Sequence, residues 1–172
     1  MRPTVNFFGE ENKTHSNKRV FGICDDDNTL PAYLDEDLSN KDSKWIGVIN
    51  NESQKEIDFY PVDHCVVLKR KDGSDAQRCE GILRHNNNIV FTELKNRDAS
   101  WLSKAMEQVI ETMSFFFDNY DSQSYQTEAW ICNKQLTNQN YFQQIAEFKE
   151  MTKVFCHKNR GFVLYIRKSI DL

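Results

Sequence analysis

The sequence predicts a mixed α/β domain, and three observations lead to it. Residues 79–95 read as two apolar strands folded tightly about Asn86-Asn87. After Lys95 the period changes: Leu102, Ala105, Met106, Val109, Met113 and Phe116 recur at three- and four-residue steps, the apolar stripe of a helix. A further apolar run, Gln126 to Asn133, is centred on Ala129-Trp130-Ile131-Cys132 and follows that helix. Strands on both sides of a helix make a mixed sheet.

The remaining elements follow in order. Residues 1–44 are polar and read as an acidic N-terminal extension. Within them Phe7-Phe8 and Val20-Phe21-Gly22-Ile23 each suit a short strand, and Asp25 to Asn40 a loop with one helical turn after Pro31. Trp45 to Asn50 reads as a strand ended by the turn signal Asn50-Asn51. Glu56 to Tyr60 is the next strand; Pro61 breaks it, and Asp63 to Arg70 is taken as the first strand of the core. Lys71-Asp72-Gly73-Ser74 is a turn. Strands 79–84 and 88–95 follow, then the helix, capped by Asp98 or Ser100 and running to about Phe117. Tyr141 to Phe155 has helical spacing, and Gly161 precedes a last strand, Phe162 to Ile166. The expectation is one domain over 1–172, with its core at about 45–133 and a helix and strand over 134–172.

Composition narrows the class. With 39% apolar and 28% charged residues, the 172-residue chain reads as soluble and globular, long enough for a substantial core. It has no run of about 18 apolar residues. Met1 to Phe21 mixes charges and lacks the apolar segment of a signal peptide. Five scattered cysteines, Cys24, Cys65, Cys79, Cys132 and Cys156, include no CxxC pair, which suits a reducing cytoplasm. The net charge of −4 argues mildly against a surface coated for nucleic acid. Acidic residues cluster at Asp25-Asp26-Asp27 and Asp35-Glu36-Asp37, while Lys69-Arg70-Lys71, Arg78, Arg84, Lys95, Arg97 and Lys104 leave room for a local basic face.

The hairpin carries three charges that apolar strands avoid. A turn centred on Asn86-Asn87 sets Glu80 directly opposite Glu93, and Lys95 shares the Glu93 face because strand side chains alternate. Like charges across a ladder destabilise it. A divalent cation turns that repulsion into attraction: two carboxylates can hold Mg²⁺ with waters still attached. Such an ion polarises a phosphoryl oxygen and lowers the pKa of bound water. A lysine on the same face can orient that water or stabilise the transition state. The pattern therefore predicts a metal-dependent catalyst, with a chemistry that suits phosphodiester hydrolysis.

Cys79-Glu80-Gly81 followed by Glu93-Leu94-Lys95 resembles the PD-(D/E)XK nuclease superfamily, with an acid on the second core strand and E-x-K on the third. The resemblance covers roughly residues 63–133 and departs from the pattern in two ways: Glu stands where Asp is commoner, and no Pro precedes it. It implies a restriction-endonuclease-like fold, a central mixed sheet flanked by helices with core order αβββαβ. It further implies Glu80, Glu93 and the backbone carbonyl of Leu94 as ligands of Mg²⁺ or Mn²⁺, and Lys95 acting on the water or phosphate. Gln108, at the edge of the helical stripe, matches a supporting glutamine of that site. Arg97 and Lys104, near the helix start, are the expected phosphate-backbone contacts, giving steeply salt-dependent binding. A DNA endonuclease is favoured. An RNA-directed or structure-specific nuclease with the same site, and a silent nuclease-like interaction or regulatory subunit, are the rivals. Specificity in so short a chain calls for a homodimer or a partner protein.

Several residues carry blander readings. Glu93 and Lys95 could decorate the solvent face of a sheet. An upstream acid is open among Glu36, Glu52, Glu56 and Asp63, each read as a solvated surface carboxylate. His64-Cys65, Cys79 and His85 are single and argue against zinc, and Cys132 with His157 makes a poor thiol enzyme. Trp101, Trp130, Tyr125 and the run Phe115-Phe116-Phe117 read chiefly as core.

Overall fold

Two sheets and one long helix organise the protein. The structure, a computed structural model, describes residues 4–97, 100–135, 163–166 and 169–172, together with Ala146. The strands are β1 Thr14–Ser16, β2 Val20–Cys24, β3 Tyr33–Asp35, β4 Gly47–Asn50, β5 Ile57–Pro61, β6 Gly81–His85, β7 Asn88–Lys95, β8 Gln126–Asn133, β9 Val163–Ile166 and β10 Ser169–Asp171; the helix is α1, Leu102–Asn119. The larger sheet has six strands in the order β1-β5-β6-β7-β8-β9, and the smaller has four, β10-β4-β2-β3. β5, β6 and β7 are antiparallel neighbours, whereas β7–β8 and β8–β9 are parallel. The domain is α/β with mixed sheets.

The six-stranded sheet is buried on both faces. On one, Ile82, Ile89, Phe91 and Ile131 meet Leu102, Ala105, Met106, Val109, Met113 and Phe116 of α1. On the other, Phe59, Leu83, Val90, Leu94 and Trp130 meet Phe21, Ile23, Leu34 and Ile49 of the smaller sheet. Each fully buried side chain of this size contributes roughly 1.5–3 kcal/mol. The hairpin register is the expected one: Gly81 faces Thr92 and His85 faces Asn88. Asn86 adopts a left-handed φ of 53°, which asparagine tolerates better than most residues, and so closes the two-residue turn.

Several expectations are corrected. Asp63 to Arg70 is not a strand: Cys65 and Val66 both donate to the Val62 carbonyl, at 3.2 and 2.9 Å, and His64 takes a left-handed φ of 63°. That reversal is incompatible with extended chain, so β5 is the first of the three antiparallel strands, and Pro61 closes it rather than breaking it. Phe7-Phe8 is not a strand either; Phe7 N–H donates to Tyr120 Oη at 3.2 Å, and its buried ring meets Phe116 edge-on at 5.5 Å. The 25–40 segment holds β3 as well as a short 3₁₀ turn at Leu38–Asn40. The residue before α1 is Trp101, buried and making no side-chain cap, because packing rather than capping fixes the helix start; Ser100 does not cap it and Asp98 lies outside the described residues.

Among the described residues no α-helix precedes β5. Residues 20–50 instead build three strands of the smaller sheet, covering the face where a flanking helix was expected. The helix expected at Tyr141 to Phe155 lies outside the described residues, save that Ala146 is helical. No helix among the described residues is long and apolar enough to cross a membrane.

Candidate active site

The register that pairs Gly81 with Thr92 brings Glu80, the residue before β6, opposite Glu93 near the end of β7. Glu93 belongs to the face that carries Ile89 and Phe91, so it is directed toward α1 and is 0% exposed; Glu80 is 9% exposed. An exposed decorative sheet face is thereby excluded. Lys95 Nζ stands 2.7 Å from Glu93 Oε1 and donates to Gln108 Oε1 at 2.7 Å. Gln108 Nε2 in turn donates to the Arg78 carbonyl at 3.0 Å. One helical turn on, Thr112 Oγ1 donates to the Gln108 carbonyl at 2.7 Å and accepts the Cys79 N–H at 2.8 Å. The spacing of four between 108 and 112 thus grips the chain on both sides of its entry to Glu80.

Gly81 is needed for that geometry. A Cβ there would lie 2.3 Å from the Phe59 ring and 2.8 Å from the Tyr60 carbonyl, so glycine alone lets β5 approach β6 beside Glu80.

The electrostatics are those of carboxyls held out of water. Burial pushes Glu80 up to about 9, with Glu93, Asp25 and Asp63 adding repulsion and Lys95 opposing. Burial pushes Glu93 up to about 7, against the Lys95 charge. Neither Glu93 oxygen accepts a well-aligned hydrogen bond from any described residue. A buried carboxylate paired with one lysine and lacking well-aligned donors is costly, and a hard cation is one way to satisfy it. No group of three or more His, Cys, Asp or Glu side chains among the described residues is arranged to hold a metal ion. A cation here would therefore rest on the two glutamates and retain water. Leu94, whose carbonyl was the further expected ligand, buries its side chain between the sheets.

Two acids escape the sequence pattern. Asp63, expected as a solvated carboxylate, accepts from Arg78 Nε at 3.0 Å and stands 3.2 Å from His64 Nε2. Its charge raises both Glu80 and Glu93. Asp25, which follows β2 in the smaller sheet, is itself raised by burial and by Asp63. Hairpin register ranks only neighbours on paired strands, so neither acid could be read from it. Glu36 and Glu52 are exposed, and Glu56 pairs with His15 away from the site. Arg97 and Lys104 are both exposed; the Arg97 backbone is anchored at N–H and carbonyl by the Asn133 side chain, at 3.2 and 2.8 Å.

The blander readings of the aromatic residues hold: Trp101, Trp130 and Phe116 are buried, while Phe115, Phe117 and Tyr125 pack against the core. Burial pushes the Cys79 thiol well above its ordinary range and Cys132 up to about 12, so neither supplies a thiolate. Compared with known proteins, the chain matches no family model, no curated protein and no solved structure.

Proposed function

We propose that the protein is a metal-dependent phosphodiesterase with a restriction-endonuclease-like core, acting on DNA in preference to RNA. The observation that carries this reading is the Glu93 carboxylate: wholly buried, without a well-aligned donor, and facing Glu80 beside a lysine. Lys95 reaches one oxygen at 2.7 Å, yet neither oxygen has a well-aligned donor among the described residues. The order β5, β6, β7, α1, β8 also supports it, with three antiparallel strands, a helix and a parallel strand.

Glu80 and Glu93 would hold Mg²⁺ or Mn²⁺, with the Leu94 carbonyl as a further ligand. The bound ion supplies Lewis acidity and a water of lowered pKa. Lys95, fixed between Glu93 and Gln108, lends positive charge to the phosphate as charge builds on it. Gln108 keeps the ammonium in place and holds the Arg78 carbonyl, setting the approach of residues 78–80.

The zero exposure of Glu93 favours a second reading, a closed and catalytically silent module that binds a partner. Cleavage assays on plasmid, duplex, single-stranded DNA and RNA with Mg²⁺ or Mn²⁺ separate the two. Metal-dependent cleavage by the wild type, lost in Glu93→Ala and Lys95→Ala, is the expected result. No cleavage together with no Mn²⁺-induced rise in Tm would leave the silent module.

A further inference from the structure

The site has a charge problem. Glu80, Glu93, Asp25 and Asp63 act on one another electrostatically. Lys95 is already engaged by Glu93 and Gln108, and its side chain is only 16% exposed. A phosphodiester approaching such a site needs another cation to offset the acids.

Arg78 meets that need. Its carbonyl is held by Gln108, at the end of the chain of contacts that begins at Glu93 and Lys95. Its Nε donates to Asp63 at 3.0 Å, and neither terminal guanidinium nitrogen makes a hydrogen bond to a described residue. The side chain is 25% exposed. Backbone and Nε are thus both fixed, while the two-pronged end that suits phosphate oxygens is open. We propose that Arg78 is the substrate-binding residue that grips a phosphate of the nucleic-acid backbone beside the Glu80–Glu93 pair. This rests on the hydrolase reading above. It also gives Gln108 a second task, since one amide positions both the lysine and the arginine.

The test is anisotropy of fluorescein-labelled duplex DNA, and of single-stranded DNA and RNA, with Ca²⁺ present to block turnover. Arg78→Ala is expected to raise Kd about tenfold. It should also make the slope of log K against log salt shallower by about one phosphate contact. Arg78→Lys, which keeps the charge and protects the fold, should fall between. A neutral methylphosphonate placed at successive linkages should weaken wild-type binding at one position where Arg78→Ala is insensitive. Equal Kd and slope in wild type and Arg78→Ala would overturn this inference and leave the hydrolase reading standing. Arg78-dependent binding without Mg²⁺- or Mn²⁺-dependent cleavage would keep the phosphate grip and overturn the hydrolase. Failure of the wild type to bind any of the probes would overturn both.

Discussion

Gln108 accepts the Lys95 ammonium on Oε1 at 2.7 Å and donates from Nε2 to the Arg78 carbonyl at 3.0 Å, joining α1 to the site from both sides. Gln108→Leu removes both bonds while keeping the helix. It leaves a half-buried carbonyl unpaired and is expected to lower stability by about 1–3 kcal/mol. On the hydrolase reading it should also lower kcat about tenfold or more through loss of lysine placement. Urea unfolding and single-turnover cleavage read the two effects separately.

Stability should fall with rising pH when no divalent cation is present. Both site glutamates titrate above their ordinary value of 4.5, Glu93 at about 7 and Glu80 at about 9. The folded state therefore binds protons that the unfolded chain has released. Their contribution is full below pH 4.5 and is lost as pH rises, through 7 for Glu93 and through 9 for Glu80. His15, raised chiefly by its bond to Asp58, declines in the same direction. Glu80→Gln and Glu93→Gln isolate the two glutamates, and each should flatten the decline in urea midpoints measured in EDTA. Mn²⁺ should stabilise the wild type increasingly as pH rises and release protons on binding.

Lys95→Met should destabilise in a pH-dependent manner. Lys95 holds Glu93 down, so without it Glu93 is pushed further up, and the loss should grow as pH rises through about 7, where the wild-type pair becomes charged. Breaking such a pair costs about 3–5 kcal/mol. Below pH 4.5 Glu93 is neutral and the loss should be small. An equal loss at both ends of the range would contradict the ion pair.

Thr112→Val keeps shape but removes the acceptor for the Cys79 N–H, a fully buried bond of 2.8 Å. The expected loss is about 1–3 kcal/mol. Thr112→Ser should recover most of it, and amide exchange at Cys79 should report the difference.

Gly81→Ala should destabilise by roughly 1–3 kcal/mol through overpacking, since its methyl would meet the Phe59 ring at 2.3 Å. Shortening the ring in Gly81→Ala/Phe59→Leu should recover part of that loss, which denaturant midpoints of the single and double variants would show.

What the sequence revealed was local. A turn of two asparagines fixes register, so the facing of Glu80 and Glu93 could be read from the chain, as could the Leu102 to Phe116 stripe and the place of Gln108 at its edge. Val66-Val67-Leu68 looked like strand, yet only Leu68 of the three is fully buried, and the left-handed His64 turns the chain before them. Asp25 and Asp63 act on the site glutamates electrostatically through the tertiary fold, which leaves no periodic trace. β10, three residues long, is too short to register as a strand.

That last strand has a kinetic consequence. β10 pairs in parallel with β4, and Asn50 Nδ2 donates to Asp171 Oδ1 across a separation of 121 residues. Contacts so distant in sequence close slowly, because the loop entropy must be met before they reward it. Until β10 docks, the antiparallel pair β2–β4 folds with one side of β4 unzipped, presenting bare amides and carbonyls to any passing strand. During that interval the bare edge of β4 is open to misassembly.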